Sequence, residues 1–255
     1  MKNRKREAGQ ETMSTGSPKP KRRFSIFTLL LDLIIIGLIA GGSYLLLKPM
    51  YIAWRQDQVM LELAKVVENE ASIDDPEGIW VDPYANAIEG EAWESFGDNT
   101  EPDTSGSTQN TAAIPEKVKL EPLGKLQIDS IEMNLPLLRG AKIIPLRYGA
   151  GWYEASAPIG GTGRATILGH SMAVNQRFFS RLPDVKVGES VRIVEAGQVL
   201  TYEIYDIRYI PEERLGEFLI QPKVASEIML VTCYNKPAWD QRLLVFAKLV
   251  DVNPI

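Results

Sequence analysis
The sequence predicts an all-β domain, a closed or nearly closed barrel of about eight strands with short helices, behind an N-terminal transmembrane helix. Three observations predict it. Residues 24–47 are apolar apart from Asp32 and a few small or hydroxyl residues. From Leu120 onward, short runs rich in Val, Ile, Leu, Thr and Tyr follow one another, several alternating apolar with polar residues, and Gly or Pro punctuates most of the gaps. Hydrophobic residues make up 45% of the chain, enough for a globular core.

Residues 1–23 form a basic cytoplasmic tail, with eight Lys/Arg against two Glu. The anchor, 24–47, spans roughly 36 Å as a helix at about 1.5 Å per residue, enough to cross a bilayer with some tilt. Lys19, Lys21, Arg22 and Arg23 put the N-terminus in the cytoplasm by the positive-inside rule, and everything after Lys48 outside. A cleaved signal peptide would have a shorter apolar region ending at small residues. Ala40-Gly-Gly-Ser43 is such a patch, but Tyr44-Leu-Leu-Leu47 carries the apolar run past it, so a single-pass, uncleaved anchor in the cell membrane is expected. Asp32, about two turns in, is either a polar contact with a partner or a charge tolerated near the cytoplasmic side.

Residues 48–75 read as a juxtamembrane helix. Trp54, Val59, Leu63, Val66 and Val67 recur near helical spacing; the helix either continues the transmembrane helix or is kinked or restarted at Pro49. Residues 76–118 read as an acidic, flexible segment. Twelve Asp/Glu and no Lys or Arg lie between 66 and 103. Trp80, Tyr84, Trp93 and Phe96 are more aromatics than a spacer needs, and point to docking on the domain that follows. That domain, 119–255, holds the barrel. Strands are expected at 123–128, 131–135, 164–168, 190–195, 199–210, 227–232 and 242–250, with single helical turns at 176–182 and 211–219.

The net charge of -5 hides this segregation, and the basic cluster is confined to the tail, so no nucleic-acid partner is expected. One Cys and one His exclude an intrachain disulfide and cannot supply the usual zinc or iron–sulfur ligand set. No cofactor or metal is expected.

The lone histidine, His170, ends the run Ala165-Thr-Ile-Leu-Gly169. The lone cysteine, Cys233, ends Glu227-Ile-Met-Leu-Val-Thr232. Arg242, nine residues later, opens Leu243-Leu-Val-Phe-Ala247. Three reactive residue types at strand ends suit a site built on a rigid sheet. An imidazole near a thiol activates it, and a guanidinium steadies developing negative charge. A second reading of the same residues is a packed cysteine, a turn histidine and a surface arginine. Spacing alone leaves both open.

Leu230-Val-Thr-Cys233 with Arg242 beyond it, and Ile167-Leu-Gly-His170 upstream, resemble the signature of sortases, the membrane-anchored cysteine transpeptidases of Gram-positive cell surfaces. The resemblance runs from Leu120 to Val250. It takes in Ile128-Asp129, Gly149-Ala-Gly151, Phe178 to Leu182, and Val187-Gly188. It implies a β-barrel with a Cys–His–Arg site in a groove, and cleavage of a Leu-Pro-x-Thr-Gly-like sorting signal on surface proteins or pilins. Cys233 would form a thioester, His170 would act as general acid and then base, and Arg242 would hold substrate backbone or oxyanion. The acceptor amine would belong to a peptidoglycan precursor or a pilin lysine. Asp82-Pro83-Tyr84 resembles the lid of pilus-building sortases; an acidic turn is the other reading of the same residues. A non-catalytic, membrane-tethered barrel that binds a cell-wall ligand is the alternative to an enzyme.

Overall fold
Residues 26–69, 78–82, 117–172, 176–219, 224–234, 238 and 240–255 are described by the structure, a computed structural model. The chain divides into two compact units, Met1–Pro49 and Met50–Ile255. Helix α1, Ile26–Asn69, includes Pro49 in its interior. In the first unit, apolar side chains from Phe27 to Leu47 stand exposed along the helix. It is the one helix among the described residues long and apolar enough to cross a membrane.

In the second unit, eight strands close a barrel. They are β3 (Pro122–Ile128), β4 (Met133–Arg139), β5 (Ala150–Trp152), β6 (Gly163–Leu168), β7 (Ser190–Glu195), β8 (Gln198–Pro211), β9 (Ser226–Tyr234) and β10 (Gln241–Pro254). Around the barrel the order is β10-β8-β7-β3-β4-β5-β6-β9, and β9 pairs back onto β10. Two neighbouring pairs, β4 with β5 and β6 with β9, are parallel; the rest are antiparallel. Two further strands, β1 (Ile79–Val81) and β2 (Val118–Leu120), make a separate antiparallel pair. Short helices α2 (Ile143–Leu146) and α3 (Leu215–Leu219) and 3-10 turns at Asp129–Ile131, Phe179–Asp184 and Glu212–Arg214 complete it.

Alternation in β3 explains its sequence: Leu126 and Ile128 are buried inside the barrel and the residues between them are partly exposed. In β9 and β10 the apolar residues run without a break because both faces are covered. Ile228 and Leu230 with Leu243 and Val245 fill the barrel interior. Met229 and Val231 with Leu244 and Phe246 face outward, into a second apolar cluster with Leu168, Ile210 and Leu215. Helix α3 lies over this outer cluster through Leu215, Phe218 and Leu219. Strands β9 and β10, which carry Cys233 and Arg242, are therefore buried on both sides and held rigid, and His170 follows β6 by two residues.

The second half of α1 packs on the barrel's side of its unit. Leu63 is fully buried with Val81, Leu120, Leu138 and Tyr148. Arg177, close to His170 in sequence, donates to Ala53 O at 3.2 Å and pairs with Asp57 at 2.5 Å.

Several boundaries differ from the sequence reading. The second barrel strand begins at Met133, because Asp129–Ile131 form a 3-10 turn and Glu132 is left-handed at φ 52°. Strand β5 was not expected: Ala150-Gly-Trp152 has too little apolar alternation to signal a strand. It forms because Gly151 lets the backbone come close, since a Cβ there would lie 2.4 Å from Gly140 O. Strands β1 and β2 are three residues each, too short for a pattern.

Candidate active site
Strand register builds the site. Cys233 and Arg242 are direct partners across β9 and β10, so their side chains share one face. Cys233 has the parity of Met229 and Val231, and Arg242 that of Leu244 and Phe246, so both belong to the outer face. In the parallel pair β6–β9, Leu168 partners Val231, and Gly169 N donates to Val231 O at 3.1 Å. His170 lies two residues beyond Leu168, as Cys233 lies two beyond Val231. Ile210 of β8 partners Arg242 on the other side. The result is a cluster at one end of three adjacent strands: Cys233 and Arg242 are paired on the outer face of β9 and β10, and His170 lies two residues past the end of neighbouring β6. Its apolar continuation is Leu168, Val231 and Leu244.

Two neighbours fix the histidine's backbone. Thr232 is 2% exposed and turns inward, where its Oγ1 donates to Gly169 O at 2.7 Å. The ring of the fully buried Phe179 lies against Gly169; a Cβ on Gly169 would be 2.6 Å from it. Phe179 N in turn donates to His170 O at 2.9 Å. The Gly before His170 and the Thr before Cys233 are thus a packing and hydrogen-bonding pair. Neither role was read from the sequence, although both residues stand in the motif that drew attention.

Cys233 is half-buried and carries the free thiol of the chain. Burial pushes that thiol above the ordinary cysteine value, the Arg242 guanidinium pulls it down, and the Glu212 carboxylate pushes it up again. Arg242 is 6% exposed. Its Nη2 forms an ion pair with Glu212 Oε1, and its Nη1 donates to Gln241 O at 3.1 Å. Glu212 was not foreseen: its partner lies thirty residues on, and no local pattern links them.

Asp82, the first residue of the suspected lid, is exposed and directly follows β1, beyond the register pair Val81↔Val118. Pro83 and Tyr84 lie outside the described residues, as does most of the acidic segment.

Comparisons with known proteins find similarity to sortases. Residues 126–250 match the sortase domain family model. A sortase A of Streptococcus agalactiae is 29% identical over 131 residues, 50% of this chain and 52% of that protein. The chain therefore spans about half the length of that relative. A sortase D of Bacillus subtilis is 25% identical, over 58% of this chain and 76% of that protein. Among solved structures, a lid mutant of sortase A from Corynebacterium diphtheriae is 32% identical with a TM-score of 0.49, covering 55% of this chain and 76% of that one.

Proposed function
The chain belongs to the sortase family, and on that premise we propose that it is a membrane-anchored cysteine transpeptidase that cleaves a Leu-Pro-x-Thr-Gly-like sorting signal and transfers the acyl part to an amine. The observation that carries the reading is the pairing of Cys233 with Arg242 on the outer face of β9 and β10, with His170 two residues past the end of neighbouring β6, beside the apolar cluster that α3 covers.

In this reading the Cys233 sulfur attacks the Thr–Gly carbonyl. A tetrahedral oxyanion forms, and the Arg242 guanidinium stabilises it. His170 gives a proton to the leaving glycine amine, and a thioester on Cys233 remains. The incoming amine then loses its proton to His170 as it displaces the sulfur, and that proton returns to the Cys233 sulfur, so thiol and imidazole both end as they began. Burial disfavours the Cys233 thiolate, and in this reading His170 takes the thiol proton as the sulfur attacks, the same proton it passes to the leaving amine. The substrates are sorting-signal-bearing surface proteins or pilins, and the amine is a peptidoglycan precursor or a pilin lysine. The apolar helix suits membrane anchoring, with the N-terminus cytoplasmic and the barrel extracellular. Residues 82–84 would act as a lid over Cys233.

The test is cleavage of a fluorogenic sorting-signal peptide by the detergent-solubilised chain and its Cys233→Ala variant. Complete loss with an unchanged melting temperature is expected; full activity in the variant refutes the reading. A barrel that only binds a cell-wall ligand would cleave in neither form.

A further inference from the structure
Glu212 opens the 3-10 turn that leads into α3, which covers the apolar cluster beside Cys233. Its carboxylate is ion-paired to Arg242 Nη2, and its backbone N–H donates to Asp240 O at 3.0 Å. Both side chain and main chain are thus tied to the start of β10. The Arg242 side chain is 7% exposed and that of Glu212 36%, so the guanidinium is enclosed while the carboxylate reaches solvent. Nη1 is committed as well, to Gln241 O. A planar fork held through two nitrogens has its plane set. No part of the proposed mechanism uses Glu212, yet it sits on the group that is to stabilise the oxyanion.

We propose that Glu212 is a positioning residue of this site: it fixes the Arg242 guanidinium and offsets its charge at Cys233. The consequence is a trade. Arg242 is enclosed and oriented before substrate arrives, and its pull on the thiol is partly cancelled by a carboxylate of opposite sign. The same contact couples α3 to the site, because Glu212 opens the turn that begins that helix. The ionisable and charged groups on the elements around Cys233 are His170 after β6, Tyr209 at the end of β8, Glu212 and Glu213 on the 3-10 turn, Tyr234 on β9, and Asp240 and Arg242 at the start of β10. The contact of Glu212 with Arg242 joins the 3-10 turn to β10.

The proposal rests on Cys233 being the nucleophile, but its test needs no turnover. Cys233 is the only cysteine in the chain, so iodoacetamide alkylation reports on it alone. The rate is measured against pH for the full chain in detergent. In Glu212→Gln the midpoint falls by about half a unit, on the order of a threefold gain in thiolate below it. Glu212→Asp, which keeps the charge, stays nearer the wild-type midpoint. A purely structural role would lower the melting temperature and leave the midpoint in place. Glu212→Ala is read the same way, should the glutamine variant fold poorly. An unchanged midpoint in folded Glu212→Gln or Glu212→Ala overturns the proposal, whatever the peptide-cleavage assay gives.

Discussion
Gly169→Ala is the sharpest probe of how the fold aims His170. The added Cβ would lie 2.6 Å from two carbons of the Phe179 ring and 2.8 Å from a third. Carbon atoms rest at about 3.5–4.0 Å, so roughly 1 Å of overlap must be relieved. The ring cannot retreat, because Phe179 is fully buried and packed in the barrel interior. The backbone at 169–170 must move instead. Overpacking of this kind costs about 1–3 kcal/mol, and a domain of this size loses about 2–4 °C of melting temperature per kcal/mol. A 1 Å displacement of a catalytic group costs about a hundredfold in rate. Melting is followed by fluorescence and turnover with a sorting-signal peptide, for Gly169→Ala and for Gly169→Ala with Phe179→Leu, whose smaller side chain relieves the clash. Activity should fall far more than stability and partly return in the double variant. Wild-type activity in the single variant refutes the packing argument.

Thr232→Val removes the hydroxyl that serves Gly169 O and leaves that carbonyl without it in the interior. It should cost about 1–3 kcal/mol, and Thr232→Ser should not; equal melting temperatures for the two would contradict this. Glu195, on β7, has its carboxyl pushed from 4.5 up to about 7 by burial. Its folded value lies above the unfolded one, so its favourable contribution is present below 4.5 and lost as pH rises through about 7. Glu195→Gln should therefore gain on the order of 2–3 kcal/mol at pH 8 and nothing near pH 4, and parallel melting curves across pH would speak against it. Asp82→Ala and Tyr84→Ala should speed alkylation of Cys233; unchanged rates remove the lid.

The barrel was legible because its longer strands carry either clean alternation, as in β3, or unbroken apolar runs, as in β9 and β10. Those unbroken runs also marked the strands buried on both faces, whose ends hold the site. His170 and Cys233 stood out as the lone residues of their types at the ends of β-prone runs, and Arg242 as the charge that opens the next run. What could not be read was long-range. The Thr232–Gly169 hydrogen bond spans 63 residues, and the Glu212–Arg242 pair links a turn to a strand start. Both depend on register, which no local window contains. Strand β5 escaped because glycine spacing records a close backbone approach and carries no side-chain pattern.

The central claim is covalent: Cys233 takes the acyl group of a sorting signal. Intact-mass spectrometry of the chain mixed with a Leu-Pro-x-Thr-Gly-containing peptide measures it directly. The account predicts an adduct equal to the peptide truncated after Thr, located on Cys233 and discharged by added hydroxylamine or a primary amine. Cleaved peptide with no adduct, and equal cleavage by Cys233→Ala, would contradict it.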